Sequence, residues 1–210
     1  MHDRAASANM ESSGHQQKVC FVTVGATAPF DTLIVEVIAA PFLKALTAKN
    51  YTHLIIQHGH CSDSVRFQFD EAKKFVAEHL SSKLSIHGFE FKENLETDLF
   101  QVKNTPERGI EEGVVLSHAG SGTILQVMRL GLPLIVVPNP ELMNNHQDEL
   151  AQALSNEKYV VHGKLGNLAN ALDEAESLRH HLHAYPRSHN NQNSRGLAGV
   201  IEDELGMYME

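Results

Sequence analysis

The stretch Val114-Val115-Leu116-Ser117-His118-Ala119-Gly120-Ser121-Gly122-Thr123-Ile124-Leu125-Gln126 decides the fold. An apolar, β-branched run passes through small residues and glycines into a pattern that continues as helix, which predicts a buried strand turning sharply into a helix. Gly120 and Gly122 can adopt conformations barred to other residues and leave backbone N–H groups uncovered. Ser121 and Thr123 place hydroxyls at a helix start, where unpaired N–H groups and the positive end of the helix dipole favour an anion. The stretch therefore reads as a diphosphate cradle, the plainer alternative being a turn that merely needs glycine. No Lys follows the glycines, which excludes a P-loop, and Leu125 stands where a dinucleotide fingerprint has Gly or Ala.

Outward from the cradle, strands and helices alternate. On the N-terminal side, residues 1–17 are polar and without periodicity, and are expected to form a disordered extension. Lys18 to Val24 is predicted as a buried strand ending at Gly25-Ala26-Thr27. A helix follows from Asp31, and Pro41 should kink it or open a second piece reaching Lys49. Strands are predicted over His53–Gln57 and Leu84–Phe91, and helices over Val65–His79 and Lys92–Phe100. The charged, turn-forming segment 102–113 is expected to be a surface insertion.

On the C-terminal side, a helix from Ser121 is stopped by Gly131, and Leu132–Pro138 is a further strand. Helices are predicted over Gln147–Asn156 and from Leu165 to about His180, with a short strand at Tyr159–His162. This succession implies an α/β fold, a parallel sheet with helices on both faces, spanning 18–184. Residues 185–196 read as a linker. In 197–210, Leu197, Val200, Ile201 and Leu205 share one helical face, which must dock on its own domain or on a partner.

Composition narrows the function. A formal charge of -9 over 210 residues, without a basic stripe, argues against a nucleic-acid partner. Cys20 and Cys61 make a disulfide framework improbable and fit a reducing compartment. No run approaches the ~20 apolar residues of a membrane span. The fourteen histidines include His58 with His60 and the group His180, His181, His183, but lack the cysteine or carboxylate spacing of a metal site, so no metal is expected.

Four segments taken together, Phe21-Val22-Thr23-Val24-Gly25, Ser117 to Thr123, Gly131 to Pro138 and Leu142-Met143-Asn144-Asn145-His146-Gln147, carry a resemblance. In this order they resemble the catalytic subunits of the two-part UDP-N-acetylglucosamine transferase of asparagine-linked glycosylation. More remotely they are similar to the C-terminal half of the bacterial enzyme that makes lipid II.

The resemblance implies a Rossmann-like domain equivalent to the C-terminal half of a glycosyltransferase B fold. Its partner would be a membrane-anchored subunit that binds the lipid-linked sugar acceptor at the cytosolic face of the endoplasmic reticulum. N-acetylglucosamine would pass from UDP-N-acetylglucosamine, the substrate, to N-acetylglucosaminyl-diphosphodolichol, with no cofactor. By position, Gly120, Ser121, Gly122 and Thr123 would face the diphosphate, Gln126 the ribose, and Asn145, His146 and Gln147 the sugar hydroxyls. Gly25 and Thr27 would border the cleft, and the backbone near Phe91 the uracil.

Gln126 departs from the carboxylate common in the family, which favours the alternative of a non-catalytic sugar-nucleotide-binding regulatory module. The catalytic base is not assigned. His118 and His146 are candidates, the first with a hydrogen bond to a neighbouring loop as its alternative role, the second with orientation of the donor sugar.

Overall fold

The computed structural model describes residues 16–25, 28–80, 83–142 and 146–184. Strand β1 (Gln17–Thr23) is followed by α1 (Asp31–Val37) and α2 (Ala40–Ala48), then β2 (His53–Gln57), α3 (Asp63–His79) and β3 (Ser85–Phe89). The second half runs α4 (Glu96–Val102), β4 (Ile110–His118), α5 (Ser121–Arg129), β5 (Leu134–Val137), α6 (His146–Asn156), β6 (Val161–His162) and α7 (Leu168–Ala184). The six strands form one sheet in the order β3-β2-β1-β4-β5-β6, and every pairing is parallel. This is the order of Rossmann folds.

Both faces of the central strands are covered, which is why they read as unbroken apolar runs. Along β1, Cys20 and Val22 face a core built with α1, α2, α3 and α7. Val19 and Phe21 face the opposite core, built with α4, α5 and α6. Pro41 sits in the first turn of α2, so the expected break at Pro41 is a helix start. Glu36 of α1 accepts from the backbone N–H groups of Gly166 and Leu168, capping α7 across the fold.

Two boundaries are corrected. Gln17 belongs to β1, paired with Ile110, so it is not part of an N-terminal extension. The insertion expected over 102–113 is shorter, because Val102 closes α4 at zero exposure and Ile110–Gly113 are already β4. What remains is an excursion through Lys103–Gly109, closed by an antiparallel bridge between Thr105 and Ile110. Glu111 and Glu112 masked the strand because their charges look like loop. In the fold they meet Lys18 and Arg179 at the amino edge of the sheet. The expected linker 185–196 and helix 197–210 lie outside the described residues.

That amino edge is held by a charged network remote from the strands' carboxyl ends. Arg179 of α7 donates to the Gly113 carbonyl at 2.9 Å and to the Tyr51 hydroxyl at 3.1 Å, and pairs with Glu176 and Glu112. Lys18, with its side chain almost fully buried, reaches Glu176 and Glu111 at 3.3 Å each. Burial alone would raise the Glu176 pKa, but Arg179, the Tyr51 hydroxyl and Lys18 outweigh it and hold the group below its ordinary 4.5.

Replacing Arg179 by Leu strands buried carboxylates and should remove about 3 kcal/mol of stability in urea unfolding at neutral pH. Because the folded-state pKa of Glu176 is depressed, its contribution is present above the unfolded value and is lost as pH falls through the folded one. The loss of stability of Arg179→Leu relative to the native chain should therefore shrink in acid. A loss that is constant between pH 7 and pH 3 would contradict this.

Candidate active site at the carboxyl edge of the sheet

After β1 the chain turns to the face carrying α1, and after neighbouring β4 it turns to the face carrying α5. The two connections diverge and leave a crevice beyond the carboxyl ends of β1 and β4, where open α/β sheets bind ligands. The cradle reading of Ser117–Thr123 thus falls at this switch point.

Gly120 is the N-cap of α5, and its carbonyl accepts the Ile124 N–H at 3.1 Å. The N–H groups of Ser121, Gly122 and Thr123 open the helix, where no intrahelical carbonyl precedes them. A Cβ built on Gly122 meets nothing within 4 Å, so packing does not demand that glycine. Gly120 behaves otherwise. Its φ of -79° and ψ of 119° are open to any residue, and its N–H already donates to the His118 carbonyl at 2.8 Å. The expectation that Gly120 needs a special conformation and offers a free N–H is corrected on both points.

A cavity of about 260 Å³ lies in the crevice, lined by Val24, Ala28, Phe30, His118, Gly120, Asn139, Leu142 and Gln147. It adjoins a larger one of about 570 Å³ beyond β5 and β6, which shares Asn139, Leu142 and Gln147. Gln147 therefore stands where the two meet, with its Oε1 accepting the Asn139 N–H at 3.0 Å. His146 opens α6 beside Glu149 at 3.6 Å and lines neither cavity. Gln126 lies one helical turn beyond Gly122 and Thr123, partly exposed. Thr27 and Asn145 lie outside the described residues.

His118 is mostly buried, and its Nδ1 has no hydrogen-bond partner among the described residues. Burial lowers its pKa from the ordinary 6.5, and a hydrogen bond to the Thr23 backbone opposes this to a smaller extent. Burial thus favours the uncharged ring over the charged one. Among the described residues there is no group of three or more His, Cys, Asp or Glu side chains able to hold a metal ion.

Two polar residues not singled out from the sequence shape the crevice. Buried Gln57, at the end of β2, accepts from the Thr23 hydroxyl and reaches the Gly25 carbonyl at 3.5 Å. The Gly25 N–H donates back to Thr23 Oγ1 at 3.3 Å, and Gly25 has a φ of +76° that favours glycine. Asn139 donates from Nδ2 to the Pro29 carbonyl at 3.3 Å and accepts the Glu141 N–H at 3.0 Å, tying the loop after β1 to the loop after β5. The only signal of either was a lone polar residue ending an apolar run.

The model of the glycosyltransferase family 28 C-terminal domain matches residues 19–201. The chain belongs to this family. The UDP-N-acetylglucosamine transferase subunit ALG13 of Saccharomyces cerevisiae is 28% identical over 207 residues, covering 89% of this chain and 97% of its own. The protein of the same name in Mus musculus is 34% identical over 145 residues, covering 69% of this chain and 10% of its own. The chain thus spans nearly all of the yeast relative and a tenth of the mouse one. An NMR solution structure of ALG13 aligns with a TM-score of 0.57 at 27% identity, over 89% of this chain and 98% of that one. The crystal structure of Acinetobacter baumannii MurG aligns with a TM-score of 0.50 at 17% identity, over 81% of this chain and 42% of that one. That likeness is of fold, and it places this family 28 domain among glycosyltransferase-B-like Rossmann folds.

Because Asn139 joins two loops of the crevice, Asn139→Ala should cost about 1–2 kcal/mol and speed hydrogen exchange at the Glu141 amide. Native-like protection of that amide in the variant would contradict the assignment.

Proposed function

We propose that this chain is the donor-binding subunit of a UDP-N-acetylglucosamine transferase. The observation that carries the reading is the α5 N-terminus, whose N–H groups at Ser121, Gly122 and Thr123 open at the switch point with no Cβ over Gly122. A diphosphate seated there meets the positive end of the helix dipole and hydrogen-bond donors fixed in advance. The Ser121 and Thr123 hydroxyls add further donors.

The chemistry asked of such a subunit is modest. Displacement at the anomeric carbon builds charge on the departing UDP, and the helix N–H groups stabilise it without reorganising. In this reading Gln147 meets the sugar hydroxyls, a role that Asn145 shares by its place in the motif, and Gln126 meets the ribose, while His146 lines neither cavity and is not brought to the sugar. An amide at position 126 accepts one such bond where a carboxylate accepts two. Gly25 borders the side from which an acceptor enters, and Thr27 is assigned to that side by its place in the sequence motif alone. Of the two candidate bases, His118 is buried between Gly25 and Gly120, and His146 stands beside a carboxylate away from both cavities. In this reading neither is assigned as the base that deprotonates the acceptor.

The acceptor is N-acetylglucosaminyl-diphosphodolichol, held by a membrane-anchored subunit at the cytosolic face of the endoplasmic reticulum. No helix among the described residues is long and apolar enough to cross a membrane. The relatives that bear the name UDP-N-acetylglucosamine transferase subunit support the donor and the role of a subunit.

A transfer assay with UDP-N-acetylglucosamine and a diphosphodolichol-linked acceptor should show activity only when the chain is mixed with membranes carrying that subunit. Donor binding with no transfer in either condition would instead favour the regulatory module. Gly122→Val should weaken UDP-N-acetylglucosamine binding by tenfold or more, about the worth of one charge-assisted hydrogen bond. Unchanged binding would remove the diphosphate from this helix.

A further inference from the structure

Gly25 and Gly120 lie on the two loops that border the crevice, one after β1 and one after β4, and the same side chain fills the space beside both. A Cβ built on Gly25 would stand 2.4 Å from His118 Cε1, and one built on Gly120 would stand 2.3 Å from His118 Nε2. The Nε2–Cε1 edge of the imidazole is therefore seated between the two glycines. Gly25 would be glycine in any case, because of its positive φ. Gly120 has an ordinary backbone conformation, so the ring alone accounts for the missing side chain.

The ring is held there by its own turn, by shape and by a hydrogen bond to the Thr23 backbone at the end of β1. The His118 carbonyl accepts both the Ser117 hydroxyl and the Gly120 N–H at 2.8 Å each, which folds the chain tightly at the end of β4. Its Nδ1 is buried and has no hydrogen-bond partner among the described residues. The ring and Gly120 also form part of the wall of the 260 Å³ cavity.

We infer that His118 is a positioning residue, a spacer whose ring sets the separation of the loop after β1 from the start of α5, and that Gly120 is glycine in order to admit it. This deepens the donor-site reading and rests on it, since the separation matters to function only if a diphosphate sits at the α5 N-terminus. The role differs from that of a general base, which needs a nitrogen oriented toward the proton it takes. It also moves Gly120 from the groups that contact the ligand to those that shape its site.

The test is a double-mutant cycle on the full chain with His118→Ala, Gly120→Ala and the two combined, together with His118→Gln. Gln reaches about as far as Nε2 but has no titratable nitrogen. Urea unfolding and UDP-N-acetylglucosamine affinity by calorimetry are read in parallel.

As a spacer, His118→Ala and Gly120→Ala should each weaken donor affinity about tenfold, the order expected when a binding group shifts by a fraction of an ångström. Gly120→Ala should lower the urea midpoint in the native background and leave it unchanged in the His118→Ala background, because the clash is gone. His118→Gln should keep affinity within about threefold of native, and transfer with partner membranes likewise. Equal effects of Gly120→Ala in both backgrounds would overturn the spacer, as would a His118→Gln variant that binds normally and fails to transfer. A native chain that binds no donor would overturn the donor reading, and the unfolding cycle would still decide whether the ring and Gly120 share that space.

Discussion

The structure depends on the divergence of two neighbouring parallel strands. β1 and β4 lie side by side at the centre of the sheet, and their following helices leave for opposite faces. Neither connection can cross the gap between them, so a crevice at the carboxyl edge follows from topology before any side chain is specified. The residues at its rim then decide what it does. Gly25 and Gly120 flank the His118 ring, Gln57 and Asn139 fix the loops, and the N–H groups at the start of α5 face outward.

The two ends of the sheet divide the work. At the amino edge, Lys18, Glu112, Glu176 and Arg179 pair in a largely buried charged network that anchors α7 to β1 and β4. Such a network loses several kcal/mol when one partner is removed, which makes it a structural anchor and a poor place for a ligand. At the carboxyl edge the polar groups differ, being backbone donors at a helix start.

Much of the fold was legible because the strands are buried on both faces and so announce themselves as apolar runs. β2 was legible to the residue, and the start of α5 at Ser121 followed from the glycine and hydroxyl pattern. Glu111 and Glu112 concealed the start of β4, since a charge whose partner lies on a distant helix cannot be told from a loop charge by local pattern. Within the site, the orphan N–H groups were legible from the capping chemistry of Ser121–Thr123. The reason for Gly120 was not, because it is a contact with the His118 ring and not a backbone angle. Gln57 and Asn139 escaped for a similar reason, their roles lying in bonds to Thr23, Gly25 and Pro29 on other segments.

The central claim is that a nucleotide-sugar diphosphate sits at the start of α5, in the crevice between β1 and β4. It is tested most directly by titrating UDP-N-acetylglucosamine into the isotopically labelled chain and following backbone amide resonances. The account predicts the largest shifts at Ser121, Gly122 and Thr123, with smaller ones at Gly25 and Gln147 and none at the amino edge around Lys18 and Arg179. Saturable binding that leaves the Ser121–Thr123 amides unmoved would contradict it.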